Sequence, residues 1–295
     1  MKMKGCYVAL ITPFDDKGKV DYKRLEKLVD LHVEWGTSGL IPLGTTGETP
    51  TLTEEEYKNI AKTVVEHSNK RIPVFIGTGS NDTKKTIRNI EFANTIQASG
   101  SLVVLPYYNK PSQNGIIEHF KILDQIGSPL IIYNIPGRTG VNLEPETLSF
   151  LLENTNNLIG IKESSGDLDQ ISKFVSISQD YNFSVLSGDD SLTLPTLAVG
   201  GTGVISVLGN VLPSMIQEMI NKYSSGDIQS ACKIHHSTFN LSKALLEVGS
   251  NPAPVKEVMN MLGYKVGGTR LPLVNLNSKE QLILKELIQK LKLFK

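Results

Sequence analysis

Short apolar runs alternate along this chain with longer stretches in which apolar residues recur at helical spacing. The runs Tyr7–Ile11, Gly39–Leu43, Val74–Gly77, Leu102–Leu105, Leu130–Tyr133, Leu158–Lys162, Ser184–Leu186 and Gly203–Ser206 are too short for independent helices and predict strands. A helix-like stretch follows each. That alternation predicts a parallel sheet, and the number of repeats predicts closure into an α/β barrel of the (β/α)8 TIM type. An open doubly wound sheet is the alternative, because periodicity does not report closure. Helix starts carry their own signals. Thr53-Glu54-Glu55-Glu56 reads as a capping box, Pro145 fits a first turn after Glu144, and Ser278-Lys279-Glu280-Gln281 repeats the capping pattern.

After the eighth strand the rhythm stops, and the pattern predicts helices over 211–224, 227–247, 254–262 and 279–293. The first completes the eighth repeat. Residues 1–224 therefore read as the catalytic barrel and 225–295 as a C-terminal helical extension packed on it. The joints are Asn251-Pro252-Ala253-Pro254 and Arg270-Leu271-Pro272-Leu273, and no segment reads as a flexible linker.

Composition narrows the classes. The 295 residues suit one large barrel, and 40% hydrophobic against 20% charged content supports a sizeable core. Thirty basic and thirty acidic side chains cancel, which gives no reason to expect a nucleic-acid or membrane partner selected by bulk charge. No window approaches the ~18 apolar residues of a membrane span. Cys6 and Cys232 show no metal-type spacing, and a reduced, cytoplasmic protein without a signal peptide is the expectation.

In α/β barrels the reactive groups lie at the C-terminal ends of strands and in the loops that follow. Lys162 ends the apolar run Leu158-Ile159-Gly160-Ile161. Holding an ammonium partly out of water disfavours its charged form, and a neutral amine can condense with a ketone as a Schiff base without a cofactor or metal. A strand-ending lysine by itself most often only points into solvent; its neighbours decide otherwise here. Gly44-Thr45-Thr46-Gly47-Glu48 follows strand 2, and its N–H and hydroxyl donors suit a small carboxylate. Tyr133, at the end of strand 5, can pass a proton to and from a carbinolamine, and Arg138 offers a planar fork for a second carboxylate. Pro106-Tyr107-Tyr108-Asn109 adds two phenols after strand 4. Singly, each of these reads as packing, surface charge or a turn; their convergence with Lys162 predicts a Schiff-base lyase for a small keto acid.

Other features lose their first appeal. Gly77-Thr78-Gly79-Ser80-Asn81 lacks the spacing and lysine of a nucleotide loop. Gly200-Gly201-Thr202-Gly203 precedes strand 8 and falls on the stability face. His32, His67, His119, His235 and His236 form no ligand pair with a nearby acid, and Asp189-Asp190 reads as a cap.

The motifs quoted above, with Gly160-Ile161-Lys162-Glu163, Ser187-Gly188-Asp189-Asp190, Gly203-Val204-Ile205-Ser206 and Asn251-Pro252-Ala253-Pro254-Val255-Lys256, resemble those of the 4-hydroxy-tetrahydrodipicolinate (dihydrodipicolinate) synthase family. This is a branch of the pyruvate-dependent class I aldolases, and the match spans nearly the whole chain. The resemblance implies a lyase of lysine biosynthesis by the diaminopimelate route. Lys162 would bind pyruvate, whose carboxylate rests on Thr45 and Thr46. Arg138 would meet the carboxylate of aspartate semialdehyde, and Gly188 and Ile205 would line the pyruvate pocket. Tyr133, Thr45 and Tyr108 would form a proton relay, Tyr108 coming from a partner subunit of a homotetramer built as a dimer of dimers. A sister aldolase for a sialic acid or 2-keto-3-deoxy sugar acid is the nearest rival, and Arg138 argues against it. A non-catalytic keto-acid binder is the rival from another class. Lysine-inhibited members carry two histidines and a glutamate where this chain has Glu54, Tyr57 and Lys85, beside Thr49, Asn81 and Tyr107. A carboxylate facing the effector's ammonium has become an ammonium, which implies resistance to feedback by L-lysine.

Overall fold

The computed structural model describes residues 2–293, and in it a helix follows every strand. The series begins β1 (Gly5–Ala9), α1 (Tyr22–Glu34), β2 (Gly39–Ile41), α2 (Glu54–Ser68), β3 (Phe75–Gly77), α3 (Thr83–Thr95), β4 (Gly100–Val104), α4 (Gln113–Asp124). It continues β5 (Leu130–Asn134), α5 (Pro136–Thr139), α6 (Pro145–Asn154), β6 (Leu158–Glu163), α7 (Leu168–Ser178), β7 (Ser184–Ser187), α8 (Thr193–Ala198), β8 (Gly203–Ser206). Helices α9 (Pro213–Ser224), α10 (Ile228–Glu247), α11 (Ala253–Met261) and α12 (Ser278–Lys290) follow. The strands form one eight-stranded sheet in the order β2-β1-β8-β7-β6-β5-β4-β3, and the registered pairs run parallel. This is the (β/α)8 barrel class, with helices beyond the eighth repeat.

Boundaries move where burial and the hydrogen-bond ladder part company. β1 ends at Ala9, two residues before its apolar run does. Leu10 and Ile11 stay buried, but the Ile11 N–H turns to Asn210 Oδ1 at 3.2 Å. β4 starts at Gly100, whose left-handed backbone (φ 154°) brings it so close to Pro129 that a Cβ would lie 2.5 Å from that carbonyl. The α2 capping box forms as its sequence predicts. The α12 box instead uses Asn277, whose side chain accepts from the Lys279 and Glu280 N–H groups while Glu280 answers its N–H at 2.8 Å. Ser278 would need Gln281 as its partner, and that amide is engaged with the Leu276 carbonyl.

The chain divides into two compact units. One comprises the residues up to Gly5 with Val74–Ile205, the other Cys6–Pro73 with the chain from Ser206 on. In the first, Ile132 and Ile161 share a buried cluster with Phe120, Leu151 and Phe174 from the covering helices. Burial of each such side chain contributes roughly 1.5–3 kcal/mol. Because side chains alternate along a strand, Tyr133 and Lys162 leave the opposite face of the sheet. In the second unit α1 buries Leu25, Leu28, Val29 and His32. Burial pushes the His32 imidazole down to about 3, and its Nδ1 bonds Thr37 Oγ1 at 3.1 Å. In this unit α9 packs on α10, and α11 on α12.

Candidate active site

The first unit holds the lysine. Parallel pairing sets Tyr133 of β5 beside Lys162 of β6. The Lys162 Nζ lies 4.2 Å from the Tyr133 ring centroid, and the two residues are 4% and 5% exposed. Among the described residues no carboxylate lies within ion-pair distance of this ammonium. Gly188, after β7, donates its N–H to the Glu163 carbonyl at 2.7 Å. A Cβ there would collide with Ser164 Oγ and stand 2.9 Å from Lys162 Cε, so the bare glycine leaves these two side chains their present positions.

Behind this pair a buried polar network fixes the strand ends. Glu163 accepts from Asn134 Nδ2 at 2.9 Å and from the Ser165 N–H at 2.6 Å. Asn134 also bonds Asn142 Oδ1 at 2.8 Å, and Asn142 bonds Gln170 at 2.7 Å. Burial raises the Glu163 carboxyl, and the hydrogen bonds it accepts pull against that rise. Between Asn134 and Asn142 the chain makes the short helix α5, begun by Pro136 at its first position and ended by Gly140 in the left-handed region. It presents the exposed Arg138. Ile205 is fully buried in β8. Asp189 caps the turn after Gly188 by accepting from the Ser191 N–H, as its sequence context predicts.

Tyr107 and Tyr108 follow β4 and are 38% and 88% exposed. Tyr108 is left-handed at φ 75°, an unfavourable state for an aromatic residue. Asn109 anchors the loop through a 2.8 Å bond from its Nδ2 to the Asn81 carbonyl. Asn81 is half-buried and Lys85 exposed.

In the second unit, Thr45–Gly47 form a single 3-10 turn that ends on Glu48, left-handed at φ 56°. Thr46 is buried and Thr45 half-buried. Thr12 Oγ1 holds the Gly47 carbonyl at 2.7 Å, and Asn251 Nδ2 donates to Thr46 Oγ1 at 3.2 Å. Thr49 Oγ1 donates to the Gly44 carbonyl at 3.0 Å. Of the other suspected effector residues here, Glu54 pairs with Lys58 on the surface at 2.7 Å and Tyr57 is buried, its hydroxyl raised by that burial.

The charges under this turn leave no trace in the hydrophobic pattern of the chain. Glu48 and Lys256 are both buried and meet at 2.6 Å, and Lys256 Nζ also reaches the Gly268 carbonyl at 2.7 Å. Burial lowers the Lys256 ammonium to about 8, against the pull of Glu48. Arg270 donates its backbone N–H to Glu48 Oε2 at 3.0 Å and holds Glu56 through both carboxylate oxygens, at 2.6 and 2.8 Å. That fork brings Glu56 down to about 2. Both cations contact the Phe14 ring, whose centroid is 4.0 Å from Lys256 Nζ and 4.4 Å from Arg270 Cζ. The available signal was a charge set inside otherwise apolar, proline-rich motifs; its partner lies 208 positions away. Among the described residues no group of three or more His, Cys, Asp or Glu side chains could hold a metal ion.

Comparison with known proteins agrees along the whole chain. The dihydrodipicolinate synthetase family model matches residues 2–291. A 4-hydroxy-tetrahydrodipicolinate synthase of Methanocaldococcus jannaschii is 43% identical over 98% of both chains. The dihydrodipicolinate synthase structure from Aquifex aeolicus is 43% identical over 99% of both chains, with a TM-score of 0.95. The one from Thermotoga maritima is 38% identical over the full length of both, with a TM-score of 0.96. A buried lysine against a tyrosine ring, at strand ends of a (β/α)8 fold, thus sits in a chain that belongs to the dihydrodipicolinate synthetase family.

Proposed function

We propose that this chain is a Schiff-base lyase that condenses pyruvate with L-aspartate-4-semialdehyde to 4-hydroxy-tetrahydrodipicolinate, the reaction for which its relatives are named. The observation that carries the mechanism is the Lys162 amine, buried, without an ion-pair partner among the described residues and 4.2 Å from the Tyr133 ring centroid. Lys162 attacks C2 of pyruvate, and the carbinolamine loses water to give an iminium. Loss of a C3 proton gives the enamine, whose C3 attacks the aldehyde carbon of the second substrate. The amino group of that substrate then displaces Lys162 from C2, closing the ring and freeing the enzyme. One water is released per turnover.

Tyr133 moves protons at the carbinolamine, with Thr45 and Tyr108 completing the relay. Thr45 and Thr46 take the keto-acid carboxylate, and Gly188 and Ile205 line its pocket. Arg138 takes the carboxylate of the semialdehyde, a partner that a neutral sugar aldehyde does not offer. The enzyme is a cytoplasmic homotetramer, a dimer of dimers, in which Tyr108 serves a partner's site; its exposure of 88% in the single chain supports this. We keep residues 1–224 as the catalytic barrel and 225–295 as its extension. Borohydride reduction with pyruvate, followed by peptide mass spectrometry, tests the reading. A reduced adduct on Lys162 supports it, and a wild-type protein with no adduct removes it.

A further inference from the structure

We infer that Lys256 is a positioning residue for the keto acid: by holding the Glu48 carboxylate it fixes the preceding Thr45–Gly47 turn in the shape that receives the substrate carboxylate. This rests on the reading that Thr45 and Thr46 bind pyruvate. The turn has little of its own to hold it. It closes on two backbone bonds of 3.1 Å, from Gly47 to Gly44 and from Glu48 to Thr45, and no side chain caps its start. It exits through a non-glycine residue at φ 56°, a conformation that persists only where the surroundings over-determine it.

Thr12 Oγ1 holds the Gly47 carbonyl and Thr49 Oγ1 the Gly44 carbonyl, and the side chain of Glu48 itself is held from the C-terminal part of the second unit. Asn251 meets the Thr46 hydroxyl, Lys256 takes one oxygen of Glu48, and the Arg270 N–H takes the other. Glu48 is thereby fixed in both position and rotation. Asn251 touches the substrate-binding Thr46 directly, whereas Lys256 and Arg270 act on the turn through Glu48. A buried ion pair is weak evidence for stability, since apolar side chains of like size often serve a core as well. Its use is geometric: two oxygens, two donors and one allowed orientation for the turn before them.

The test compares Lys256→Met, Glu48→Gln and the double variant Glu48→Gln/Lys256→Met with wild type. Each is assayed for the pyruvate KM, the semialdehyde KM, kcat and the melting temperature. Lys256→Met should raise the pyruvate KM on the order of 10- to 100-fold, the effect of about a 1 Å misplacement remote from the chemistry. The semialdehyde KM should stay within about twofold, since only the turn's ligand is affected. The double variant removes the unpaired buried charge and should regain most of the melting temperature while the pyruvate KM stays high. A double variant with wild-type pyruvate KM overturns the inference, even if Lys256→Met alone fails to fold. Wild type that forms no borohydride adduct with pyruvate sinks the underlying reading, and the inference with it. A normal wild-type adduct with normal KM in the variants sinks the inference alone.

Discussion

Lys162 and Lys256 are buried almost equally, at 4% and 1% exposure, and each ammonium lies about one ring-contact distance from an aromatic face. Their surroundings otherwise differ in every respect. Lys256 has a carboxylate at 2.6 Å, a carbonyl at 2.7 Å and an arginine on the same Phe14 ring that it contacts. Lys162 has a phenol ring and a bare glycine backbone, and no ion-pair partner among the described residues. Burial alone therefore does not make a nucleophile. Lys256 Nζ is occupied by a carboxylate and a carbonyl, whereas Lys162 Nζ faces a tyrosine ring and engages neither kind of group among the described residues.

The strongest way to break this contrast is to remove each amine in turn. Lys162→Arg keeps a cation but not a condensable amine, so activity should fall by orders of magnitude with loss of the pyruvate adduct. Lys256→Met should still yield adduct on Lys162 wherever the variant folds. An adduct retained in the first and lost in the second would exchange their roles. Tyr133→Phe keeps the ring above which Lys162 sits and removes only the hydroxyl. A loss of about 10²–10⁴-fold in kcat, with pyruvate binding preserved, is the expected result; near-normal kcat would leave the lysine without this proton carrier.

Arg138→Ala sharpens the contrast between substrates. The KM for aspartate semialdehyde should rise roughly 10- to 100-fold, as expected for loss of a charge-assisted hydrogen-bonding partner worth about 1.5–3 kcal/mol, and that for pyruvate should change little. Equal changes in both would return the sister-aldolase reading to consideration. The smallest effect is a null one. With Lys85 exposed and Glu54 engaged by Lys58, millimolar L-lysine at about pH 8 should leave initial rates unchanged. Clear sub-millimolar inhibition would show that these positions still form an effector site.

Much of this was legible in the chain because it is local. Each strand lies within two residues of its apolar run, and the Thr53 and Pro145 helix starts stand where their signals fall. The ends that moved did so for reasons that hydrophobicity does not encode. At Ile11 burial outlasts the ladder, at Gly100 a backbone contact admits only glycine, and at Asn277 the box closes on Glu280, one residue ahead of Ser278, while the Gln281 amide is engaged with the Leu276 carbonyl. That Lys162, Tyr133 and Gly188 lie together was readable because the parallel strands of a barrel bring their C-terminal ends side by side. Glu163 and Lys256 were not. Their roles depend on which polar atoms meet across 29 and 208 positions, and no periodicity carries that information.

The pairing of Glu48 with Lys256 also sets an order of events during synthesis. At about 5–20 residues per second, the carboxylate emerges on the order of 10–40 s before its cation. The unit spanning Val74–Ile205 is nearly continuous in the chain and can condense during that interval. The unit built from Cys6–Pro73 and the residues from Ser206 on has to wait for the end of translation. A chain stopped ahead of Lys256 should therefore show protease-sensitive sites concentrated in residues 6–73, with 74–205 protected. Equal protection of both segments would mean that the nascent turn finds its shape without the charge that later holds it.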